Sequence, residues 1–416
     1  MSKNWKNILG PGILFAATAI GVSHLVQSTT AGGKYGLSLL GFVAIALVLK
    51  FPFFEFGSRY AVSKGESLIA GYKNLHKAWL YVYLGITLST MFFVTGAVGV
   101  VTISFMENIF GLNSLTGVDH FTHYLLFGIC LLILLWGKFD VMERIIKVLS
   151  VTMLVTTVVA FIATLFLGPA VEYRELTPKL NNEAWLFLLP LMGWMPTAID
   201  LSTWNSLWTV QKIKSSGYHP TLKETIREFN LGYWISALLA FLFLIMGAFL
   251  VYGTSKEVPS SGVAFSSFVL ELYTISIGDW AKWIVSIAAF AIMFSTLLTI
   301  IDGYNRALKE TVLLARSKKP SKSQMNFLEK LFILITGVGG LALIISFEND
   351  PDGFKMLINL ATTISFIVAP VIAILNYRLV QKDIIGEANS PGMVMKSLSV
   401  LGIIFLSAFT FWFIVM

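Results

Sequence analysis

Residues 184–211 read AWLFLLPLMGWMPTAIDLSTWNSLWTVQ, a long apolar segment that is interrupted near its centre. The interruption is the stretch GWMPT at residues 193–197, and Asp200 follows at membrane depth. Proline has no amide to donate and pushes the preceding residue away from the helical region, so the carbonyls near Met192 and Gly193 lose their helical partners. In hydrocarbon such carbonyls are tolerated only beside a cavity or a protein partner. The segment therefore predicts a broken membrane helix around a binding site.

The composition of the whole chain places this helix in a membrane. Of the 416 residues, 56% are hydrophobic and only 13% are charged, and the mean hydropathy is +0.77. A helix of about 20 apolar residues is needed to cross a bilayer. Eleven runs have the required length: residues 8–30, 36–58, 80–106, 121–137, 144–168, 184–211, 228–253, 280–304, 327–347, 354–376 and 395–416. A further apolar stretch at 263–276 is too short to span and is expected at the membrane interface.

The basic residues predict how the spans are oriented. Most lysines and arginines fall in loops on the side of the N-terminus, whereas the opposite loops hold only Lys34, Arg174, Lys179, Lys256, Lys282 and Lys355. By the positive-inside rule the N-terminus is cytoplasmic, and with eleven spans the C-terminus is outside the cell. The expected location of the protein is the plasma membrane. The net charge of +7 is explained by this topology and needs no nucleic-acid partner. The lipid bilayer is the expected partner.

Several function classes lack their motifs in this chain. There is no G-x-x-x-x-G-K-[ST] nucleotide loop and no H-E-x-x-H sequence, so neither ATP-driven pumping nor a metalloprotease is indicated. The single Cys130 cannot form an intrachain disulfide. We therefore expect neither an enzyme nor a bound cofactor, and we expect the polar chemistry to lie between helices.

Two interrupted helices suggest that the chain has two halves. The first run opens with GPG at residues 10–12 and has a weak point at residues 21–24, GVSH, five runs before the break in the sixth. Interrupted spans at corresponding positions are typical of transporters with inverted repeats and a binding site at the bilayer midplane. We predict one transmembrane domain over residues 1–416, with repeats at about 8–168 and 184–377 and an extra helix at about 395–416.

Three motifs in the same order carry a family resemblance. They are the stretch from GPGIL at 10–14 to AGGKYG at 31–36, the segment RYAVSKGESL at 59–68, and Met195-Pro196. Together they resemble the Nramp family of divalent-metal transporters, which are usually proton-coupled. The resemblance implies an all-α integral membrane protein with a LeuT-like 5+5 inverted repeat and an eleventh helix, in which helices 1 and 6 are broken.

The chain departs from the family at the residues that hold metal. Members carry Asp-Pro-Gly-Asn in helix 1, where this chain has Gly21, Val22, Ser23 and His24, and they carry Met-Pro-His in helix 6, where this chain has Met195-Pro196-Thr197. The helix 3 glutamate aligns with Phe93, and the glutamine of helix 10 aligns with Val368. Of these side-chain ligands, Met195 alone is kept. The usual metal site is expected to be absent, and the sequence assigns no metal ligands.

Two ionisable residues near the breaks are candidates to replace the lost ligands. His24 could be a metal ligand, a proton carrier or a hydrogen-bond donor to a polar solute, or simply a packing residue. Asp200 could be the lost carboxylate at a new position, or a structural partner of a hydroxyl or of Lys50. Met195 is interpreted as a cavity wall rather than a ligand. The predicted substrate-binding residues are Gly21, Ser23, His24, Met192, Met195, Thr197 and Asp200, with His24 and Asp200 in proton coupling.

Other polar groups have both structural and functional interpretations. Asp302 and Arg306, four residues apart, fit an ion pair at the end of helix 8 or a cytoplasmic gate. The hydroxyls near Thr296 and Thr362 could bond their own helices or line a wet cavity that holds a cation such as Na⁺. On the outer side, Asp119 and His123 share a face and permit a weak external metal site, although capping of helix 4 by Asp119 is favoured.

These observations lead to one main functional hypothesis and two alternatives. The main hypothesis is a secondary active transporter similar to Nramp proteins, a proton-coupled symporter of a cation with an altered substrate site. The first alternative is a carrier of a small polar organic solute coupled to protons or Na⁺, because the same fold offers bare amides and carbonyls at its unwound helices. The second is a sensor or scaffold that does not transport.

Overall fold

A computed structural model of the chain describes residues 11–136, 139–316 and 321–415, and the side chains of these except at residues 13 and 139–150. Parts of the predictions fall outside these residues: residues 8–10, 137 and 416 of the predicted spans, and several basic residues used for orientation, namely Lys3, Lys6, Lys138, Lys318 and Lys319. The first half consists of α1 (Pro11–Ala19), a π-helix (Ser23–Ser28), α2 (Thr29–Tyr35), α3 (Leu40–Lys64), α4 (Leu68–Leu75), α5 (Lys77–Phe110), α6 (Leu112–Thr116), α7 (Phe121–Trp136) and α8 (Phe139–Leu167).

The second half follows a short 3-10 turn at Tyr173–Leu176. It contains α9 (Asn182–Gly193), α10 (Leu201–Ser216), α11 (Leu222–Leu250), α12 (Gly262–Ile277), α13 (Ala281–Ala315), α14 (Lys322–Phe347), α15 (Gly353–Leu379), α16 (Lys382–Ile385), a 3-10 turn (Glu387–Asn389) and α17 (Met393–Val415).

Each predicted apolar run corresponds to a helix or to a broken helix. Within the described residues, seven helices are long and apolar enough to cross a membrane: α3, α5, α11, α13, α14, α15 and α17. The fourth and fifth runs correspond to α7 and α8, and the short stretch at 263–276 is the helix α12. The first and sixth runs are each divided into two helical parts. The architecture is therefore that of a multi-pass membrane protein.

The first run breaks where the glycine of GVSH allows it. The helix α1 ends at Ala19, residues 20–21 bend, and the chain continues as a π-helix before α2 begins. Such π segments are rare in proteins as a whole, and those that occur often lie at functional sites. The sequence predicted the weak point but not the π-helix, because no residue pattern distinguishes the wider helical turn.

Close backbone contacts hold both broken helices against their neighbours. At the start of α1, the amide of Gly12 donates to both carboxylate oxygens of Glu228 on α11, each at 2.8 Å. At the end of α9, a Cβ on Gly193 would lie 2.2 Å from the carbonyl oxygen of Thr362 on α15. Glycine is required there because two helix backbones touch. The ends of both broken helices are thus fixed by glycines.

A buried aromatic cluster joins the first half to the second. The ring of Phe15 on α1 lies 5.3 Å from the rings of both Phe54 on α3 and Phe229 on α11, and Tyr233 stacks at 5.9 Å. Such pairs favour edge-to-face geometry and add to the burial of apolar area. The Tyr233 hydroxyl donates to the Leu47 carbonyl at 2.6 Å, which satisfies its only polar atom. The cluster positions α1 beside α3 and α11.

Candidate functional site

The two breaks face each other across a small polar cavity. Its walls come from the first break, the second break, α5 and α13, and its volume is about 20 Å³. That is enough for one water-sized group and too small for an organic molecule in this conformation. The polar side chains that line it are Thr18, Ser23, Trp194, Thr197, Asp200, Trp204, Thr296 and Tyr304.

Asp200 is the acidic residue of this cavity. It directly precedes α10, and only 4% of its surface is exposed. The Tyr304 side chain on α13 lines the same cavity, and the Thr203 hydroxyl donates to the backbone carbonyl of Asp200 at 2.7 Å. Tyr83 on α5 lies 2.8 Å from the Thr203 hydroxyl. A buried intramembrane carboxyl that lines a cavity is a functional-site candidate.

Lys50 on α3 satisfies the carbonyls that the second break leaves free. Its fully buried ammonium group donates to the carbonyls of Met192, Gly193 and Thr197 at 3.1, 3.0 and 3.0 Å. An ammonium has three protons, so these three bonds use all of them. The charge is also close enough to Asp200 to interact with it. The Lys50 ammonium group therefore binds three carbonyl oxygens of the second break.

His24 and Ser23 connect the first break to two other helices. The Nε2 atom of His24 lies 2.8 Å from the Ser236 carbonyl on α11, and because a carbonyl only accepts, Nε2 carries a proton. Its Nδ1 atom lies 2.7 Å from the Ser23 hydroxyl oxygen, which is itself 3.0 Å from the Pro196 carbonyl in the second break. The imidazole is fully buried beside α11 and does not line the cavity. Its two side-chain hydrogen bonds within the described residues go to Ser236 and Ser23, and Ser23 lines the cavity.

The structure brings together only part of the predicted set. Ser23, Thr197 and Asp200 line one cavity. Gly21 packs behind it, where an added Cβ would lie 3.1 Å from the Thr296 side chain. The two methionines, Met192 and Met195, are fully buried outside the lining of the cavity, and the Met195 sulfur lies 3.9 Å from the Ser28 hydroxyl.

Hydroxyls of α13 bind the carbonyl end of α1. The Thr296 hydroxyl lies 3.0 Å from the Ala17 carbonyl oxygen and 3.4 Å from that of Ile20, while the Thr18 hydroxyl lies 3.1 Å from the Thr299 hydroxyl. These contacts join the first break directly to α13. On α15, the Ser365 hydroxyl accepts from the Trp194 indole at 2.9 Å. The predicted hydroxyl clusters therefore contact the broken helices as well as their own backbones.

The sequence did not single out the residues that enclose Asp200. Tyr304, Tyr83 and Thr203 lie in apolar runs, where an aromatic residue is usually read as packing. The detectable signal is that a phenol hydroxyl in the middle of a span needs a hydrogen-bond partner. The sequence predicts Lys50 only as a possible partner of Asp200, and its carbonyl partners depend on how α3 packs on α9.

The predicted gate residues form an ion pair on α13. Arg306 Nε lies 2.6 Å from an Asp302 carboxylate oxygen, one helical turn away. The prediction that they stand at the end of helix 8 is wrong, because α13 continues as far as Ala315. The continuation is polar, and length rules that count apolar residues do not detect it.

A second space lies beside the continuation of the first broken helix. It has a volume of about 40 Å³ and is lined by the polar side chains of Gln27, Thr30, Lys34, Ser260, Lys355 and Asn359. Three of these residues, Gln27, Thr30 and Lys34, belong to the π-helix and α2 that follow the first break. We call this space the vestibule.

Comparisons with known proteins agree with this geometry. An uncharacterized protein of Pasteurella multocida (strain Pm70) is 34% identical over 413 residues, which are 98% of this chain and 91% of that protein. A crystal structure of the manganese transporter of Eremococcus coleocola matches with a TM-score of 0.67 at 14% identity, over 98% of this chain and 86% of that one. A crystal structure of MhsT in complex with L-phenylalanine matches with a TM-score of 0.61 at 16% identity, over 96% of each chain.

These similarities confirm the predicted LeuT-like fold with broken helices 1 and 6. The family described as Natural resistance-associated macrophage protein-like matches residues 12–416, nearly the whole chain. The protein therefore belongs to the Nramp family and is a multi-pass secondary transporter.

Proposed function

We propose that this transporter carries a small cation together with protons, through an altered substrate site whose central group is Asp200. The support is the position of its carboxyl group, which is buried in the cavity between the two breaks among the hydroxyls of Ser23, Thr197 and Thr296. Carboxylate and hydroxyl oxygens suit hard cations. Family membership makes a metal ion the leading substrate class.

The charge balance of the site argues for a cation that needs few ligands. Lys50 already occupies three carbonyls of the second break, so a transported ion has only the cavity oxygens to bind. A single carboxylate with hydroxyls compensates poorly for dehydrating a divalent ion, because Mg²⁺ and Ca²⁺ sites use six or more oxygens. We expect a monovalent ion or a divalent ion that keeps part of its water shell.

The proposed proton coupling rests on the arrangement around Ser23, whose hydroxyl has a single proton. With His24 neutral, that proton is donated to Nδ1, because Nε2 already donates to the Ser236 carbonyl. With His24 protonated, Nδ1 donates to the Ser23 oxygen, and the hydroxyl then donates to the Pro196 carbonyl or to the Ala19 carbonyl, each 3.0 Å away. Protonation thus makes a bond between the two breaks available. In this proposal Asp200 binds the transported cation in the same cavity.

The proposed route places the vestibule near Lys34 and Lys355 on the outside and the pair Asp302–Arg306 at a cytoplasmic gate. It assumes the orientation predicted by the positive-inside rule, in the plasma membrane with the N-terminus cytoplasmic and the C-terminus outside. In this proposal Asp302 and Arg306, which pair at 2.6 Å within α13, belong to the inner gate, and the gate opens when the substrate is released inside.

Transport by purified protein in sealed vesicles tests this proposal. A pH-sensitive dye inside the vesicles reports proton entry when Na⁺, K⁺, Mg²⁺ or Mn²⁺ is added outside. We expect one of these ions to drive proton entry and Asp200→Asn to abolish it, while Asp279→Asn, an exposed control of the same kind, retains it. Ion-driven proton entry that persists in Asp200→Asn would refute the assignment.

A second candidate is transport of a small organic solute. The observation that favours it is that the indole rings of Trp194 and Trp204 line the cavity beside the Lys50–Thr197 contact. An aromatic wall with a polar end suits an organic substrate once the helices move apart. Thermal stabilisation by one compound of a metabolite panel, with no response to any cation, would favour this function over the first.

A further inference from the structure

We propose that His120, His123 and Glu348 form a binding site for a divalent transition-metal ion such as Zn²⁺, separate from the central cavity. His120 and His123 stand at the start of α7, and Glu348 follows the last residue of α14. One nitrogen of each ring and a carboxylate oxygen lie within 4.8 Å of one another. None of the three residues lines the cavity between the breaks.

The contacts around Glu348 show that both imidazoles are directed at one carboxylate. The Nδ1 atom of His120 lies 2.8 Å from one carboxylate oxygen, and the Nε2 atom of His123 lies 2.9 Å from the other. The ligands of a tetrahedral zinc ion, at 2.0–2.2 Å from the metal, are about 3.3 Å apart. Small rotations of the three side chains therefore suffice to place an ion between them.

The local backbone is arranged to present these histidines. His120 has a φ of 60°, and it is the single non-glycine residue with a positive φ among residues 11–136, 139–316 and 321–415. Such a conformation is costly for a residue with a side chain and is often found at functional sites. Next to it, the Thr122 amide donates to the Asn113 side chain at 3.0 Å, and the Thr122 hydroxyl donates to Glu107. Asn113, rather than the predicted Asp119, provides this acceptor for α7.

The donor set fits a borderline metal ion better than a hard one. Imidazole nitrogens suit zinc and its neighbours in the first transition row, whereas Ca²⁺ and Mg²⁺ select oxygen. Two histidines and a glutamate leave the fourth position open to water. His123 is buried, with 3% of its surface exposed, whereas Glu348 and His120 are partly exposed, so an ion can enter from one side.

The second ring nitrogen of His123 leaves Nε2 free to bind the ion. Its Nδ1 atom has no hydrogen-bond partner in the described part of the chain, so no donor prevents it from carrying the proton when Nε2 binds metal.

Zinc titration of the purified full-length protein tests the site. A chromophoric zinc indicator gives the affinity by competition, and thermal unfolding without metal checks that each variant is folded. We expect one site with micromolar or tighter affinity, weakened at least tenfold in His120→Ala, His123→Ala and Glu348→Gln. His219→Ala and Asp279→Asn, at exposed residues outside both this site and the transport cavity, should bind zinc as the unaltered protein does.

Failure of the unaltered protein to bind zinc in the micromolar range, or equal binding by all three site variants, would overturn the proposal.

Discussion

At the scale of single residues, Lys50 decides how the second break is stabilised. A buried carbonyl left without a partner costs about 1–3 kcal/mol, and hydrogen bonds to charged groups contribute about 1.5–3 kcal/mol each. Burial of the ammonium opposes this gain. We expect Lys50→Met to lower the free energy of unfolding by about 2 kcal/mol, because three carbonyls lose their donor.

Unfolding of the protein in detergent, followed by tryptophan fluorescence, measures this difference. Lys64→Met at the exposed end of the same helix is the matched control and should change the stability by less than about 0.5 kcal/mol. Equal stability of the Lys50 and Lys64 variants would mean that the ammonium contributes nothing net to the break.

Ser23 gives a second prediction at this scale. It stands between the imidazole of His24 and the carbonyl of Pro196, so Ser23→Ala removes the link by which protonation of His24 reaches the second break. We expect this variant to transport with a flattened pH dependence, measured as initial uptake rates from pH 5.5 to 8. Ser28→Ala, in the same π-helix but outside the cavity lining, should keep the original profile. An unchanged profile in Ser23→Ala would exclude His24 as the coupling group.

At the scale of helices, the close approach of α9 and α15 is the sensitive contact. Gly193→Ala would place a Cβ 2.2 Å from the Thr362 carbonyl oxygen, a backbone atom that cannot move aside cheaply. Such overpacking costs about 1–3 kcal/mol, so the variant should unfold at a lower temperature. Gly128→Ala on α7 meets nothing within 4 Å and is the control, with an expected gain of up to about 1 kcal/mol. Similar melting of the two variants would contradict the packing described for the second break.

The helices themselves follow from the sequence more directly than the breaks do. The capping boxes at Thr221 with Glu224 and at Ser321 with Gln324 begin α11 and α14, as that sequence pattern predicts. The continuation of α13 to Ala315 was missed because its polar residues end the apolar run but not the helix. The helix propensity of its residues keeps the polar end of α13 helical, and hydropathy does not report helix propensity.

At the scale of the whole molecule, the single Cys130 allows the orientation to be measured. Cys130 is fully buried in α7 and is the single cysteine of the sequence. A Cys130→Ala background therefore offers no thiol of its own to a membrane-impermeant maleimide. With Ser255→Cys in the loop after α11, we expect labelling in intact cells, because the positive-inside rule places that loop outside. With Ser216→Cys at the end of α10, labelling should require permeabilised cells. The reverse pattern would invert the proposed topology and the assignment of vestibule and gate.

The sequence by itself determined the membrane class and the positions of both breaks. These follow from the lengths of apolar runs and from the backbone chemistry of proline and glycine, which act locally and need no knowledge of packing. Ser23, Thr197 and Asp200 were found for the same reason, since they lie beside the breaks.

The tertiary structure alone decided which groups meet across helices. Lys50 reaches the second break, His24 turns towards α11, Tyr304 lines the cavity that holds Asp200, and Glu348 joins two histidines more than 200 residues before it. The partner of a buried polar group depends on the distance between helices that are far apart in sequence. Hydropathy and spacing along one chain do not contain that distance.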